Sequence, residues 1–196
     1  VPDKVARLTE VQYLSAGRCQ KGFRMIDNYS SLGDDKIEVR YAHIPREKHF
    51  AEKVYSAANA LFPPISDYFA ISSDFPKIRI ILVIDRGEYD RLVREFLRVP
   101  IQAPSHPGRI AQPQRTDMVV LSPSAYQKHS IYVYVPDDFR RLIAHELTHM
   151  AHEYLSPDME ATPTWWGEGL AIYLSDQWRF EGDFRKPPLH GVAIGM

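Results

Sequence analysis

Asp138-Phe139-Arg140-Arg141-Leu142-Ile143-Ala144-His145-Glu146-Leu147-Thr148-His149-Met150-Ala151-His152-Glu153-Tyr154-Leu155 is the stretch on which the reading of this chain turns. Phe139, Leu142, Ile143, Leu147, Met150 and Tyr154 recur at a helical period, which predicts an amphipathic helix. Asp137 or Asp138 is a natural N-cap after Pro136, and Pro157 closes the segment. Inside it, His145-Glu146-Leu147-Thr148-His149 has the form HExxH. Residues four apart on an α-helix lie about 40° apart around the axis and about 6 Å apart along it, so His145 and His149 share a face. Glu146 lies about 100° round from His145, beside that face and not on it.

A second helix is expected after a turn at Ser156-Pro157. Thr162 caps it, Pro163 opens it, and Trp165, Glu168 and Ile172 fall on one face. Two histidines at this helical spacing, with an intervening glutamate, form the pattern of a zinc peptidase site. Zinc takes imidazole nitrogen and carboxylate oxygen at about 2.0–2.2 Å, usually as a tetrahedron, and a catalytic site uses three protein ligands and leaves one position open. His145, His149 and Glu168 supply such a set for one Zn2+. Zinc lowers the pKa of a water it holds to roughly 7, which lets a neighbouring carboxylate take the proton, so Glu146 is the expected general base. The competing reading is a buried helix whose histidines are merely hydrogen-bonded.

With these residues in view, the chain resembles the gluzincin, or MA-type, zinc metallopeptidases. Eighteen residues separate His149 from Glu168, the spacing of the aminopeptidase branch, and Trp165-Trp166-Gly167-Glu168-Gly169-Leu170-Ala171 is similar to that branch's W-x-x-E-G-[FL]-A segment. Residues 116–176 carry the resemblance, with a match of pattern from Lys36 to Asp90, and the preceding elements look like the compact peptidase MA-like domains of bacteria. The resemblance implies a zincin-like fold: a mixed, mostly antiparallel sheet packed against the HExxH helix and the following Glu-bearing helix. It implies His145, His149 and Glu168 as zinc ligands, Glu146 as base, and a peptide or protein as substrate. It favours an extracytoplasmic or secreted setting. It also implies a tyrosine or histidine that stabilises the oxyanion; here the chain departs from the pattern, and the donor is one of Tyr126, Tyr173 and His190, a group from a partner chain, or part of a longer protein. Metzincins are set aside, because they need glycine where His152 stands and histidine where Leu155 stands.

A chain of 196 residues fits one domain, and a hydrophobic content of 44% fits a globular one. A net charge of −1 argues against an electrostatic nucleic-acid binder. No apolar run approaches the ~18 residues of a membrane span. The single Cys19 forms no internal disulfide. The start at Val1 reads as a fragment or a processed form, with any targeting segment outside it.

Strands are predicted at Lys36–Tyr41, Lys77–Ile84, Asp117–Leu121 and Ser130–Val135. Helices are predicted at Pro45–Phe62, ended by Pro63-Pro64, and at Arg86–Leu97. Val99 to Gln114 reads as a proline-rich loop, in which His106 is solvated. The order suggests an α+β fold with helices on one side of the sheet. The expected division is an N-terminal segment 1–34, weakly helical at Val5, Leu8, Val11 and Leu14; a catalytic domain 35–178, with a sheet part 35–136 and zinc helices 137–178; and a tail 179–196. The gluzincin resemblance implies that a strand before the zinc helix, either Asp117–Leu121 or Ile131–Val135, holds substrate backbone; the alternative is two ordinary interior strands. His152 is expected to be packed and hydrogen-bonded, Glu153 a surface carboxylate, Trp165 and Trp166 packing between the helices, Gly167 and Gly169 points of close approach, and Asp176 a partner for a ligand imidazole. The functional reading is a zinc metallopeptidase. The alternatives are a peptidase-like module that binds a protein partner without catalysis, and a hydrolase of non-peptide amides.

Overall fold

The computed structural model describes residues 28–71, 74–156 and 162–179. The expectations for Val5 to Leu14, Cys19, Pro157, His190 and the tail lie outside the described residues. The fold is α+β. Strands β1 (Ser30–Gly33), β2 (Ile37–Tyr41), β3 (Ile78–Val83), β4 (Ala111–Gln114) and β5 (Asp117–Leu121) form one sheet in the order β1-β2-β3-β5-β4. Helices α1 (Pro45–Tyr68), α2 (Arg86–Glu95), α3 (Tyr126–His129), α4 (Pro136–Leu155) and α5 (Thr164–Leu174) complete it.

The sheet is mixed but not mostly antiparallel. β2 pairs with β3, and β3 with β5, in parallel; only the flanking pairs β1–β2 and β4–β5 are antiparallel. The cause is that α1 and α2 lie between strands and return the chain in the same direction, as parallel pairing requires. Helices also cover both faces, not one. Residues in register share a side, so Ile37, Val39, Ile80, Met118 and Val120 form one face. There α1 packs on β2 and on α4. Arg79 and Asp117 lie on the other face, paired at 2.7 Å. The Arg79 guanidinium stands 5.2 Å over the ring of Phe96, the residue that ends α2. The runs Ile80–Val83 and Met118–Leu121 are consequently buried without a break.

Gly33 is required where β1 turns into β2: its φ is +139°, and a Cβ there would collide with the Ile37 carbonyl oxygen. Asp34 closes the turn by accepting from the amides of Lys36 and Ile37, each at 2.8 Å, and from the Tyr55 hydroxyl of α1 at 2.8 Å. α1 does not stop at Phe62. It runs through Pro63 and Pro64, because its last turns are held by packing: Ile65 is buried, Phe62 meets Phe75, and Phe69 stacks on His152 of α4. Two lost backbone donors are outweighed by that apolar contact. At its other end, buried Glu47 accepts from Ser122 at 2.5 Å and ties α1 to the end of β5.

Ser130–Val135 is not a strand. β5 already has β3 on one side and β4 on the other, so this segment, which bends at Ile131 and Tyr132, makes no ladder. Its alternation has a different origin. Tyr134 packs edge-on against Phe50, Tyr126 and Phe139, while Ile131, Val133 and Val135 face outward. The proline-rich loop, in turn, contains the edge strand β4. α4 begins at Pro136 with Val135 as its uncapped N-cap, and Asp137 and Asp138 lie in the first turn. α5 begins one residue later than expected, at Thr164, with Pro163 in the N-cap position.

Candidate metal centre

The core stripe of α4 is Phe139, Ile143, Leu147 and Met150. This leaves His145, His149 and His152 along the side that meets α5. Small residues set the approach of the second helix. Gly167 and Ala171, four apart, are both buried, and a Cβ on Gly167 would already stand 3.6 Å from His152 Nδ1. Gly169 has open space beside it, so no close approach explains it.

Glu168 is thereby brought between the two imidazoles. Its Oε2 lies 3.4 Å from His145 Nε2, its Oε1 lies 3.5 Å from His149 Nε2, and the two Nε2 atoms are 3.0 Å apart. One donor atom from each residue falls within 4.8 Å of the others, a group able to hold a metal ion. Three donors at about 2.0–2.1 Å in a tetrahedron stand about 3.3–3.4 Å from one another. The two imidazoles face different oxygens of the Glu168 carboxylate, so the group could hold a small cation once a rotation of that carboxylate turned one oxygen to both nitrogens.

His145 is oriented from behind. Its Nδ1 lies 3.1 Å from Gln177 Oε1. A proton on Nδ1 directed at that amide oxygen leaves the Nε2 lone pair for a cation. Asp176, the expected partner, sits in the left-handed region at φ 58° and pairs with Arg179 at 3.1 Å. The sharp turn at Asp176 redirects the chain so that its neighbour, Gln177, faces the histidine. Gln177→Ala is expected to weaken metal binding about 10–100-fold, as measured by competition with a chromogenic chelator.

The electrostatics follow from burial and pairing. Hydrogen bonds from His145 and His149 hold the Glu168 carboxyl far below the ordinary carboxylate range. Burial pulls the His145 imidazole down, but Glu168, Glu146 and Gln177 together outweigh it and the net direction is up. Burial raises the Glu146 carboxyl, with the charges of His145 and His149 pulling the other way; Arg109, on the loop before β4, attracts it as well. Glu146 is 8% exposed.

These directions set a pH dependence for the metal-free protein. A group raised on folding contributes stability that is complete below its unfolded value and lost as pH rises through its folded one. Both Glu146 and His145 have that sign, with unfolded values near about 4.3 and 6.5. Glu168 has the opposite sign: its contribution is complete above about 4.3 and lost in acid. The melting temperature of chelator-treated protein should therefore fall as pH rises above about 6.5, and less so in His145→Gln. A flat profile in a thermal scan would contradict these assignments.

The remaining sequence-predicted residues fall as follows. His152 is packed, 8% exposed and stacked on Phe69, but its Nδ1 has no hydrogen-bond partner among the described residues. Glu153 is no free surface carboxylate: it accepts from Gln114 Nε2 at 2.8 Å and from the Arg115 amide at 2.6 Å, clipping the β4–β5 hairpin to α4. Trp165 and Trp166 do not fill the helix interface; they are 71% and 52% exposed. His106 is exposed in its loop, accepting from the Gly108 amide. Tyr126 is buried in the aromatic cluster with Tyr134 and Phe139, which removes it from any cleft, and Tyr173 is exposed on α5. Among the described residues no helix is long and apolar enough to cross a membrane.

Neither of the two strands expected to hold substrate forms a sheet edge; β4 does. The Leu121 amide donates to the Ile110 carbonyl at 2.7 Å, which makes that pair hydrogen-bonded. By alternation Gln112 and Gln114 also face β5, while Ala111 and Pro113 turn their backbone groups outward. Proline has no N–H to offer, which suits it to this edge position. β4 packs alongside α4. The strand was hidden in the sequence by its proline and its four-residue length.

Comparison of the chain with protein-family models and with curated proteins finds no match.

Proposed function

We propose that this protein is a zinc-dependent metallopeptidase of zincin-like fold, in the manner of the gluzincins. The observation that carries the reading is the convergence of His145, His149 and Glu168, one donor atom of each within 4.8 Å of the others, with the buried Glu146 carboxyl beside them. His145 and His149 would hold the metal through Nε2, and Glu168 through a carboxylate oxygen. Bound there, a zinc ion supplies Lewis acidity: it polarises a carbonyl and acidifies water.

The chain's own groups do the rest. Gln177 orients His145. Glu146 accepts the proton of the attacking water and returns it to the leaving nitrogen, and its burial raises its proton affinity toward that task. A structural zinc site has no use for such a residue. The outward N–H and C=O of Ala111 offer one main-chain pairing to an extended peptide along β4, which supplies affinity without demanding a particular sequence. The substrate expected is therefore a peptide or an exposed protein loop. The exposed Trp165 and Trp166 favour a second reading, a non-catalytic module that binds a protein partner.

Cleavage of a mixed peptide pool separates the two. Cleavage that chelation abolishes and zinc restores supports the peptidase. A zinc-loaded protein that leaves the pool intact would reject it.

A further inference from the structure

We propose that Arg86 is a positioning residue for substrate docking: its guanidinium fixes where β4 begins, and so sets the sheet margin beside α4. The inference rests on the peptidase reading above.

α2 opens directly after β3, with Asp85 as its N-cap. Arg86, Tyr89 and Asp90 follow at helical spacing and are all buried, an unusual fate for two charged residues. The guanidinium binds three separate carbonyls and a hydroxyl. Nη1 donates to Ser105 Oγ at 3.3 Å and to the Arg109 carbonyl; Nη2 donates to the Pro107 carbonyl at 3.2 Å and to the His129 carbonyl. Asp90 completes the hold on the loop, accepting from the Ser105 amide at 2.9 Å and from its hydroxyl at 2.5 Å. The Tyr89 ring lies 5.1 Å beneath the guanidinium.

The placement of these acceptors gives the arrangement its meaning. The carbonyls belong to the exposed Pro107 and Arg109 and the half-buried His129, and a loop broken by Pro100, Pro104 and Pro107 cannot supply a ladder to pair them. One planar fork meets several carbonyls at once, which an ammonium point charge does not. The hold ends at Arg109, and the next carbonyl, that of Ile110, already accepts from β5. The register of β4, and with it the outward face of Ala111, starts where Arg86 lets go. His129 ends α3, in the lead-in to α4. A single side chain thus ties the edge strand to the approach of the helix that carries Glu146.

The test compares Arg86→Met, Arg86→Lys and Ser105→Ala with the native zinc-loaded protein. Each is assayed on a peptide long enough to lie along β4 and on a minimal amide reporter too short to reach Ala111. For the long peptide, KM should rise on the order of 10-fold in Arg86→Met with kcat nearly unchanged. Ser105→Ala should move KM the same way by less, and Arg86→Lys should restore little. Constants for the short reporter and zinc content should hold, while amide exchange at residues 105–114 accelerates. Should Arg86→Met fail to fold, Ser105→Ala carries the comparison alone. An unchanged long-peptide KM in a folded variant with an active native enzyme would overturn the positioning role. Equal losses on both substrates would reduce it to general stability and overturn it too. A native enzyme inert on both substrates would instead defeat the peptidase reading itself.

Discussion

Turnover by the Glu146→Gln protein is expected to fall by about 10²–10⁴-fold, the usual contribution of a positioned proton carrier. The substitution keeps the shape and volume of the side chain and removes its proton affinity. The new amide would occupy the same buried place on α4, and the imidazoles of His145 and His149 and the Glu168 carboxylate would be untouched. Metal content should stay near one ion per chain. Because the loss is confined to the chemical step, kcat should fall with little change in KM. The variant should also be no less stable than the native protein when metal-free, since it replaces a buried carboxyl that is costly to ionise there with a neutral amide. Peptide cleavage by the purified variant at the native rate would remove Glu146 from the mechanism.

His149→Ala is expected to abolish the metal site. The remaining donors, His145 and Glu168, offer two ligands where a stable site needs three. The loss of affinity should exceed the roughly 10–100-fold that follows from disturbing a group that only orients a ligand, and elemental analysis after gel filtration should find little zinc. The same change releases one of the two hydrogen bonds that hold the Glu168 carboxyl low, so its proton affinity in the metal-free protein should rise toward the ordinary range. A full complement of zinc in this variant would overturn the ligand assignment, whatever its activity.

Much of the site was legible in the sequence because it depends on helix geometry, which short-range spacing encodes. His145 and His149 were set on one face by their four-residue separation, and Glu168 was set opposite them by a turn and a second helix. The supporting groups were less legible, since they depend on where remote segments arrive. Asp176 and Gln177 are adjacent, and only the left-handed turn at Asp176 decides which of them meets His145. In Arg86-Gly87-Glu88-Tyr89-Asp90-Arg91 nothing distinguishes the buried Arg86 and Asp90 from the half-buried Glu88 and Arg91; the difference lies in a loop fifteen or more residues away. Glu153 likewise looked solvated until the hairpin turn at Arg115 reached it.

The same holds for the sheet. β2 declared itself by the alternation of Ile37, Val39 and Tyr41 with charged residues, and β3 and β5 by apolar runs. β4 did not, since a proline at an outward-facing position looks like a strand breaker. The alternation of Ile131 to Val135 imitated a strand because tyrosines pack on one side of that segment, and alternation reports two unlike sides, not a hydrogen-bonded neighbour. Pro63 and Pro64 looked like a helix stop, and the packing of Ile65 and Phe69 overrode them.

Pro113 has an effect beyond the single molecule. The row of donors along the outer margin of β4 is interrupted one residue past mid-strand, so a second molecule aligning its own margin there would forfeit a bond at every such position. On the proposed reading, this margin offers a short foothold to an extended peptide while discouraging continuous pairing with the same margin of a second molecule.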